Sequence, residues 1–559
     1  MHMMKKVIAV LMVAVTLLAG CSRVTETPTS MNPETTVKTY FEASDSGDVE
    51  SCLSLLSDDV IVSQDPPGVK IEGKSQYEAA LREAATLHRK HLVILPYKVD
   101  GNKVTFKANV SGDDFRILGV DSINISYELQ VRDEKITSIV ATPDSADWAK
   151  LMRLSSGNGT SIGNSPTSTS TQIPTPTVDD SSSIAIYDRV ITQLMSKWDV
   201  PGGSLAVSKD GRLVLAKAYG IADKEKNLPV QPESLFRIAS VSKTITAVAV
   251  LKLVEEGKLD LEAKAFKLLD NLKPVSGKTV DPRIYNITIR QLLQHSGGWD
   301  GDKSFDPMFS PTKAAIEVGA TQPATSDTII RYMLGQPLDF DPGSQYAYSN
   351  FGYCVLGRII EKVTGQSYYD YVMENILRPA GATSMRLGKS LENERYEGEV
   401  HYYDYEGAPM ALSVFPGSLI VPWPYGGFDI EAMDAHGGWV ATATDLLRFV
   451  TALDSGKLIK ADTLTTMVSH PMAPLWQGSS YYYGMGWLVR PNGNSANWWH
   501  DGSLPGTYSI VVRTFNGFAW AALFNTRPKD VDAFVKELDN ALWDAYSRVT
   551  SWPTNDLFK

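Results

Sequence analysis

The sequence predicts two domains in tandem, a small α+β unit near the N-terminus and a larger unit behind it that also mixes strands and helices. Three observations carry this prediction. Residues 155–183, "SSGNGTSIGNSPTSTSTQIPTPTVDDSSS", hold almost nothing to bury and read as an extended Ser/Thr/Pro-rich linker. Ahead of the linker, helical spacing gives way to strand alternation. Behind it, a strand–turn–strand pattern precedes an apolar helix. A chain of 559 residues exceeds one ordinary domain, and 43% hydrophobic content supplies ample core. A net charge of −11 with no basic stripe excludes nucleic acid as an expected partner, and three cysteines are too few for a disulfide framework.

The chain opens with "MHMMKKVIAVLMVAVTLLAGCS", a basic start at Lys5 and Lys6 followed by an apolar run from Val7 to Leu18. That run is short for a bilayer span but fits the core of a secretory signal. Its end, Leu18-Ala19-Gly20-Cys21, resembles the lipobox of prokaryotic lipoproteins. The resemblance implies cleavage before Cys21, lipidation of that cysteine and a mature protein anchored to a membrane or envelope outside the cytoplasm. An ordinary signal or a plain membrane anchor is the alternative. Residues 22–32 then serve as a polar tether. Cys52 and Cys354 fall in different domains and are expected as buried free thiols.

In the N-terminal unit, residues 33–150, Val37, Tyr40 and Phe41 and then Val49, Cys52, Leu53 and Leu56 recur at helical spacing, and a third helix is expected over residues 75–90. Val104, Phe106, Ala108 and Val110 alternate as a strand, as do Ile123, Ile125, Tyr127, Leu129 and Val131. With "YFEASDSGDVESCLSLLSDDVIV", this order of helices and then antiparallel sheet resembles the cone-shaped nuclear-transport-factor-2-like group. His88 and His91, three apart on the expected helix without a cysteine partner, are assigned to a solvated face rather than to a metal. No chemistry is legible in this domain.

The larger unit begins with "GGSLAVSKDGRLVLAKAYG", two strands about a turn at Asp210-Gly211. Next comes "FRIASVSKTITA", in which Ser240 and Lys243 stand three apart where a helix starts. Ile245, Val248, Leu251 and Val254 recur along this helix, and other faces are filled by Ala247, Ala249, Val250 and Leu253. The helix is therefore buried, and Gly257 ends it. Serine is a weak nucleophile until a base takes its proton, and residues three apart share a helical face, so Lys243 can reach Ser240. A lysine in a dry site near other cations holds its proton less tightly. An oxyanion formed at Ser240 meets free amides at the helix start. Taken alone, Ser-x-x-Lys is also an ordinary helix start. "PGSQYAYSNFGYCVLGRIIEKVTG" adds Tyr348, a proton shuttle if its pKa is lowered, and Asn350, a donor and acceptor suited to a substrate amide. "WWHDGSLPGTYSIVVR" adds His500, Asp501 and Gly502 on a late strand, where glycine lets substrate backbone approach.

Ser-x-x-Lys, Tyr-x-Asn and His-x-Gly in this order resemble the serine β-lactamase and penicillin-binding superfamily. "ITIRQLLQHSGG", "GGWVATATDLLRF" and "YGMGW" extend the likeness to its class C β-lactamase-related branch over residues 184–550. The resemblance implies an α+β fold with an antiparallel sheet flanked by helices, plus an all-helical subdomain with the site between them. It implies Ser240 as nucleophile, Lys243 and Tyr348 as proton carriers, and Asn350, His500, Asp501 and Gly502 as substrate contacts. The backbone amides of Ser240 and Ser503 would form the oxyanion hole, without metal or cofactor. His295 reads as structural, and His401 and His436 have no assigned role.

Many relatives carry Lys-Thr-Gly or His-Thr-Gly at the third motif, where the basic residue and the hydroxyl bind a substrate carboxylate. Here Asp501 replaces that hydroxyl. If it faces the cleft, its charge disfavours an anionic substrate; if it alternates outward, the argument lapses. The expected activity is hydrolysis of an ester or amide, in small molecules or peptides, through an acyl-enzyme, as in the esterases, D-aminopeptidases and D-Ala carboxypeptidases of that branch. A β-lactam-hydrolysing enzyme and a non-catalytic surface binder remain the alternatives.

Overall fold

A computed structural model describes residues 32–64, 69–85, 89–112, 121–147, 183–416, 420–472 and 474–559. The leader, Cys21, His88 and nearly all of the tether and the linker lie outside the described residues. The chain divides into two compact units, Met1–Ser170 with Pro409–Trp423, and Thr171–Ala408 with Pro424–Lys559.

In the first unit the helices Pro33–Asp45, Val49–Ser54 and Lys74–Ala85 accompany a six-stranded sheet. Its strands Lys103–Ser111 and Ile123–Arg132 bury the alternating residues that the sequence assigns inward, Val104 to Val110 and Ile123 to Val131. Phe41, Phe106 and Tyr127 meet ring to ring in this core. Both free cysteines are buried as expected. One expectation fails. The third helix ends at Ala85, and Lys90–Asp100 is an edge strand. His91 therefore lies on a strand, 2% exposed, with Nε2 bonded to the Tyr127 hydroxyl at 3.1 Å and Nδ1 3.5 Å from Asp45. It belongs to no solvated helical face.

The second unit is built on an eight-stranded antiparallel sheet in which Ser495–Leu504, Thr507–Arg513, Phe518–Phe524, Gly202–Lys209 and Arg212–Asp223 are successive neighbours. The helices Ile186–Lys197 and Val531–Arg548 cover one face, where Ile191 and Leu194 join Phe534, Leu538, Ile510 and Trp520 in one core. The helix Ala443–Asp454 packs on the central strands. The helix Ser242–Glu255 is buried on nearly every side, as its apolar sequence requires, and packs against Asn350–Thr364 of the helical part.

Candidate active site

Ser240 lies in a 3₁₀ turn, Ala239–Val241, that runs directly into the buried helix Ser242–Glu255. Ala239 has a φ of 44°, a left-handed conformation that is costly for a residue with a side chain. As Ser240 opens a helical run, its N–H has no acceptor within the turn. Lys243 sits one turn on, with its Nζ 3.1 Å from Ser240 Oγ, 2.7 Å from Asn350 Oδ1 and 2.9 Å from the His436 carbonyl oxygen. The amine is fully buried, and burial lowers its pKa to about 7, while Asp306 and Asp501 push it back up. Its neighbouring charges are thus carboxylates, not the cations expected from the sequence, and desolvation alone weakens its hold on the proton.

The second motif is shaped by capping. The Ser349 hydroxyl accepts the Gly352 N–H at the head of the helix Asn350–Thr364, so Tyr348 and Asn350 are fixed on either side of a helix start. His295 braces the same loop. Its Nδ1 accepts the Ser349 N–H at 3.1 Å, its carbonyl accepts the Ala347 N–H, and its ring packs on Tyr348 at 4.3 Å. The structural role read for His295 fits this geometry. Tyr348 is 37% exposed as a residue, but its hydroxyl meets Ser240, and burial holds the phenol well above its ordinary pKa. The lowered tyrosine pKa expected from the sequence is not found: Tyr348 is a neutral donor.

On the strand Ser495–Leu504, which carries the third motif, the two-residue turn Pro505-Gly506 makes Leu504 and Thr507 the closing pair. By alternation, the Ser503 N–H turns away from Thr507–Arg513 toward the other edge. The neighbouring strand Leu488–Asn492 pairs no further than Trp499, so that edge is open beside Ser240. Gly502 is what permits the approach. A Cβ there would overlap the Ile238 carbonyl oxygen and lie 2.9 Å from the Ser240 nitrogen. His500 Nε2 is 3.0 Å from the Tyr483 hydroxyl and Nδ1 is 2.6 Å from the Asp501 carbonyl oxygen. A carbonyl only accepts, so Nδ1 carries the proton, and burial drives the ring's pKa to about 3. His500 is therefore neutral. Asp501 pairs directly with Ile510, which belongs to the core on the far face, so its side chain points away from Ser240. The carboxylate does not face the cleft, and the exclusion of anionic substrates cannot rest on it.

Ser240, Tyr348, Asn350, His500 and Ser503 border one cavity of about 330 Å³, with Lys243 beneath; Asp501 also touches its wall, though strand alternation turns its side chain to the far face. Among the described residues, no arginine or lysine lines its wall. Two residues of the site have no role in the sequence reading. His436, 2% exposed, borders the cavity, holds Lys243 through its carbonyl, and keeps a buried Nε2 without a hydrogen-bond partner in the structure. Asp306 Oδ2 accepts the Asn350 side-chain N–H at 2.6 Å. The trace of Asp306 in the sequence is Asp-Pro, which signals a helix start and not a site. His401 lies elsewhere, with donor atoms within 4.8 Å of those of Asp223 and Glu225. Lys226 at 3.2 Å and Arg395 at 3.9 Å already face the Asp223 carboxylate.

The Beta-lactamase family matches residues 187–542, and the SnoaL-like domain matches residues 37–139. "Protein flp" of Staphylococcus aureus (strain N315) is 25% identical over 369 residues, spanning 65% of this chain and 68% of the relative. "Probable fimbrial assembly protein FimD, serogroup H1" of Dichelobacter nodosus is 32% identical over 247 residues, 44% of this chain and 54% of that one. Among solved structures, the D-amino acid amidase from Ochrobactrum anthropi SV3, complexed with L-phenylalanine amide, has a TM-score of 0.51 at 25% identity over 66% of this chain and 99% of its own. The octameric penicillin-binding protein homologue from Pyrococcus abyssi has a TM-score of 0.50 at 26% identity, covering 64% of this chain and 76% of its own.

Proposed function

Because the chain belongs to the beta-lactamase family, we propose that its larger domain hydrolyses an ester or amide through an acyl-enzyme on Ser240. The observation that carries this reading is the environment of Lys243. As a neutral amine it donates two N–H bonds, to Asn350 Oδ1 and the His436 carbonyl, which leaves its lone pair to face Ser240 Oγ. Lys243 takes the Ser240 proton as Oγ bonds to the substrate carbonyl carbon. The oxyanion is met by the backbone amides of Ser240 and Ser503. The proton then returns through the Tyr348 hydroxyl to the leaving alcohol or amine, and water releases the acyl group by the same path. Asn350 holds the substrate, and Gly502 keeps the strand close.

The preference against a substrate with a free carboxylate rests on His500 and the cavity wall. A free carboxylate would meet a neutral imidazole where many relatives place a cation, with no arginine or lysine alongside among the described residues. The D-amino acid amidase neighbour makes amides of D-amino acids the first peptide-like substrates to try. The same proposal includes anchoring through Cys21 outside the cytoplasm, which is supported by the leader's sequence.

The test is p-nitrophenyl butyrate hydrolysis by residues 32–559, followed across pH and beside a chromogenic cephalosporin and D-phenylalanine amide. The base must be unprotonated, and its pKa is lowered to about 7. Turnover therefore rises through neutral pH and levels above it. Ester or amide exceeds cephalosporin by about tenfold or more, the scale of one lost ion pair at a partly open site. A rate flat from pH 5.5 to 8.5 contradicts Lys243 as base, and a preference for the cephalosporin contradicts the substrate reading.

A further inference from the structure

Asn350 can hold Lys243 only in one amide orientation. Its Oδ1 must face the lysine, at 2.7 Å, and its NH₂ must then point the other way. A terminal amide rotated by half a turn would present two hydrogens to the lysine and remove one of the two acceptors that aim its lone pair. The NH₂ group points to Asp306 Oδ2, at 2.6 Å, and carboxylate oxygens accept without donating. Asp306 Oδ1 is occupied separately by the Met308 N–H at 3.0 Å, at the head of the turn Pro307–Phe309. Both oxygens are needed, one for the local turn and one for a residue 44 positions away.

We propose that Asp306 is a positioning residue for the hydrolysis argued above, locking the Asn350 amide so that Lys243 is presented to Ser240. The inference rests on that reading of the site and adds a member that touches neither Ser240 nor Lys243 directly. Burial raises the Asp306 pKa while its bonds from Asn350 and Met308 and the charge of Lys243 lower it, and its ionised form also acts on the base. Asp306 and Asp501 are the carboxylates that raise the affinity of Lys243 for its proton, against the burial that lowers it. The other titratable groups facing Lys243 are the imidazoles of His295, His436 and His500 and the phenols of Tyr348 and Tyr353. Burial keeps all of these uncharged near neutral pH.

Asp306→Asn separates the two jobs. Asparagine has a single acceptor, which can keep the Met308 cap, but its NH₂ then confronts the NH₂ of Asn350. With residues 32–559 and p-nitrophenyl butyrate, kcat is expected to fall about 10- to 100-fold, the scale of a misplaced catalytic group. KM, to which Asn350 also contributes, should change less than kcat. The acid limb of the pH profile should move to lower pH, because a charge that stabilises the protonated amine is gone. Thermal unfolding and Ser240 labelling by a fluorophosphonate are followed in parallel. An unchanged kcat and an unmoved limb overturn the proposal. So does a loss of activity that tracks a lowered melting temperature with the limb in place, since that describes the turn cap alone. A parent protein that neither turns over ester nor labels at Ser240 removes the reading of the site and the proposal together. An active, labelled parent beside an unaffected Asp306→Asn overturns the proposal alone.

Discussion

Ser240→Ala lowers kcat for p-nitrophenyl butyrate by about 10³-fold or more, leaving only what binding and the oxyanion amides supply. In the proposed reaction the hydroxyl is the atom that bonds to the substrate, and no other serine or threonine side chain approaches Lys243 Nζ among the described hydrogen bonds. Its removal costs the fold little. Ser240 borders an open cavity, and the buried lysine keeps its bonds to Asn350 and His436. Thermal unfolding of the variant should stay close to that of the parent, so the loss is chemical. A variant retaining a tenth of the parental rate would exclude Ser240 as nucleophile.

Gly502→Ala has the second-largest expected effect, and through geometry alone. The added methyl would meet the Ile238 carbonyl, the Ser509 hydroxyl at 2.6 Å and the Ser240 nitrogen at 2.9 Å. Two of these are backbone atoms at the Ser240 turn, and the hydroxyl is tied down by its bond to the Ile238 carbonyl. Nothing flexible can yield. The strand and the turn must part, which separates the Ser503 and Ser240 amides. Loss of one oxyanion donor costs about 10²- to 10³-fold in kcat, and overpacking costs about 1–3 kcal/mol of stability. Steady-state kinetics with calorimetry checks both. An alanine variant with parental kcat would mean that the amide of Ser503 takes no part in the reaction.

The sequence made some of this legible and hid the rest for physical reasons. Tyr127 and its alternating neighbours were readable because one face of their strand is buried and the other is not. The edge strand Lys90–Asp100 was not, since Leu92, Ile94, Leu95 and Val99 stay exposed and erase the alternation. Ser240 and Lys243 could be paired because both lie within one helical turn of a visibly buried helix. Tyr348 and Asn350 were identified by family likeness, and the hydrogen bond from Ser349 explains why that tripeptide holds its shape. Asp306 and His436 come from loops with no period, and they enter the site only through tertiary approach. The protonation state of His500 was likewise out of reach, for it depends on Tyr483 and a carbonyl that motif spacing does not record.

The central claim is that Ser240 carries the acyl group. Residues 32–559 should be mixed with a slowly released ester, quenched within one turnover, digested and mapped by mass spectrometry. The account predicts the added acyl mass on the peptide containing Ser240, absent from Ser240→Ala and sparse at pH 5.5, where Lys243 is protonated. Turnover without any acylated peptide, or acylation at another residue, would contradict it.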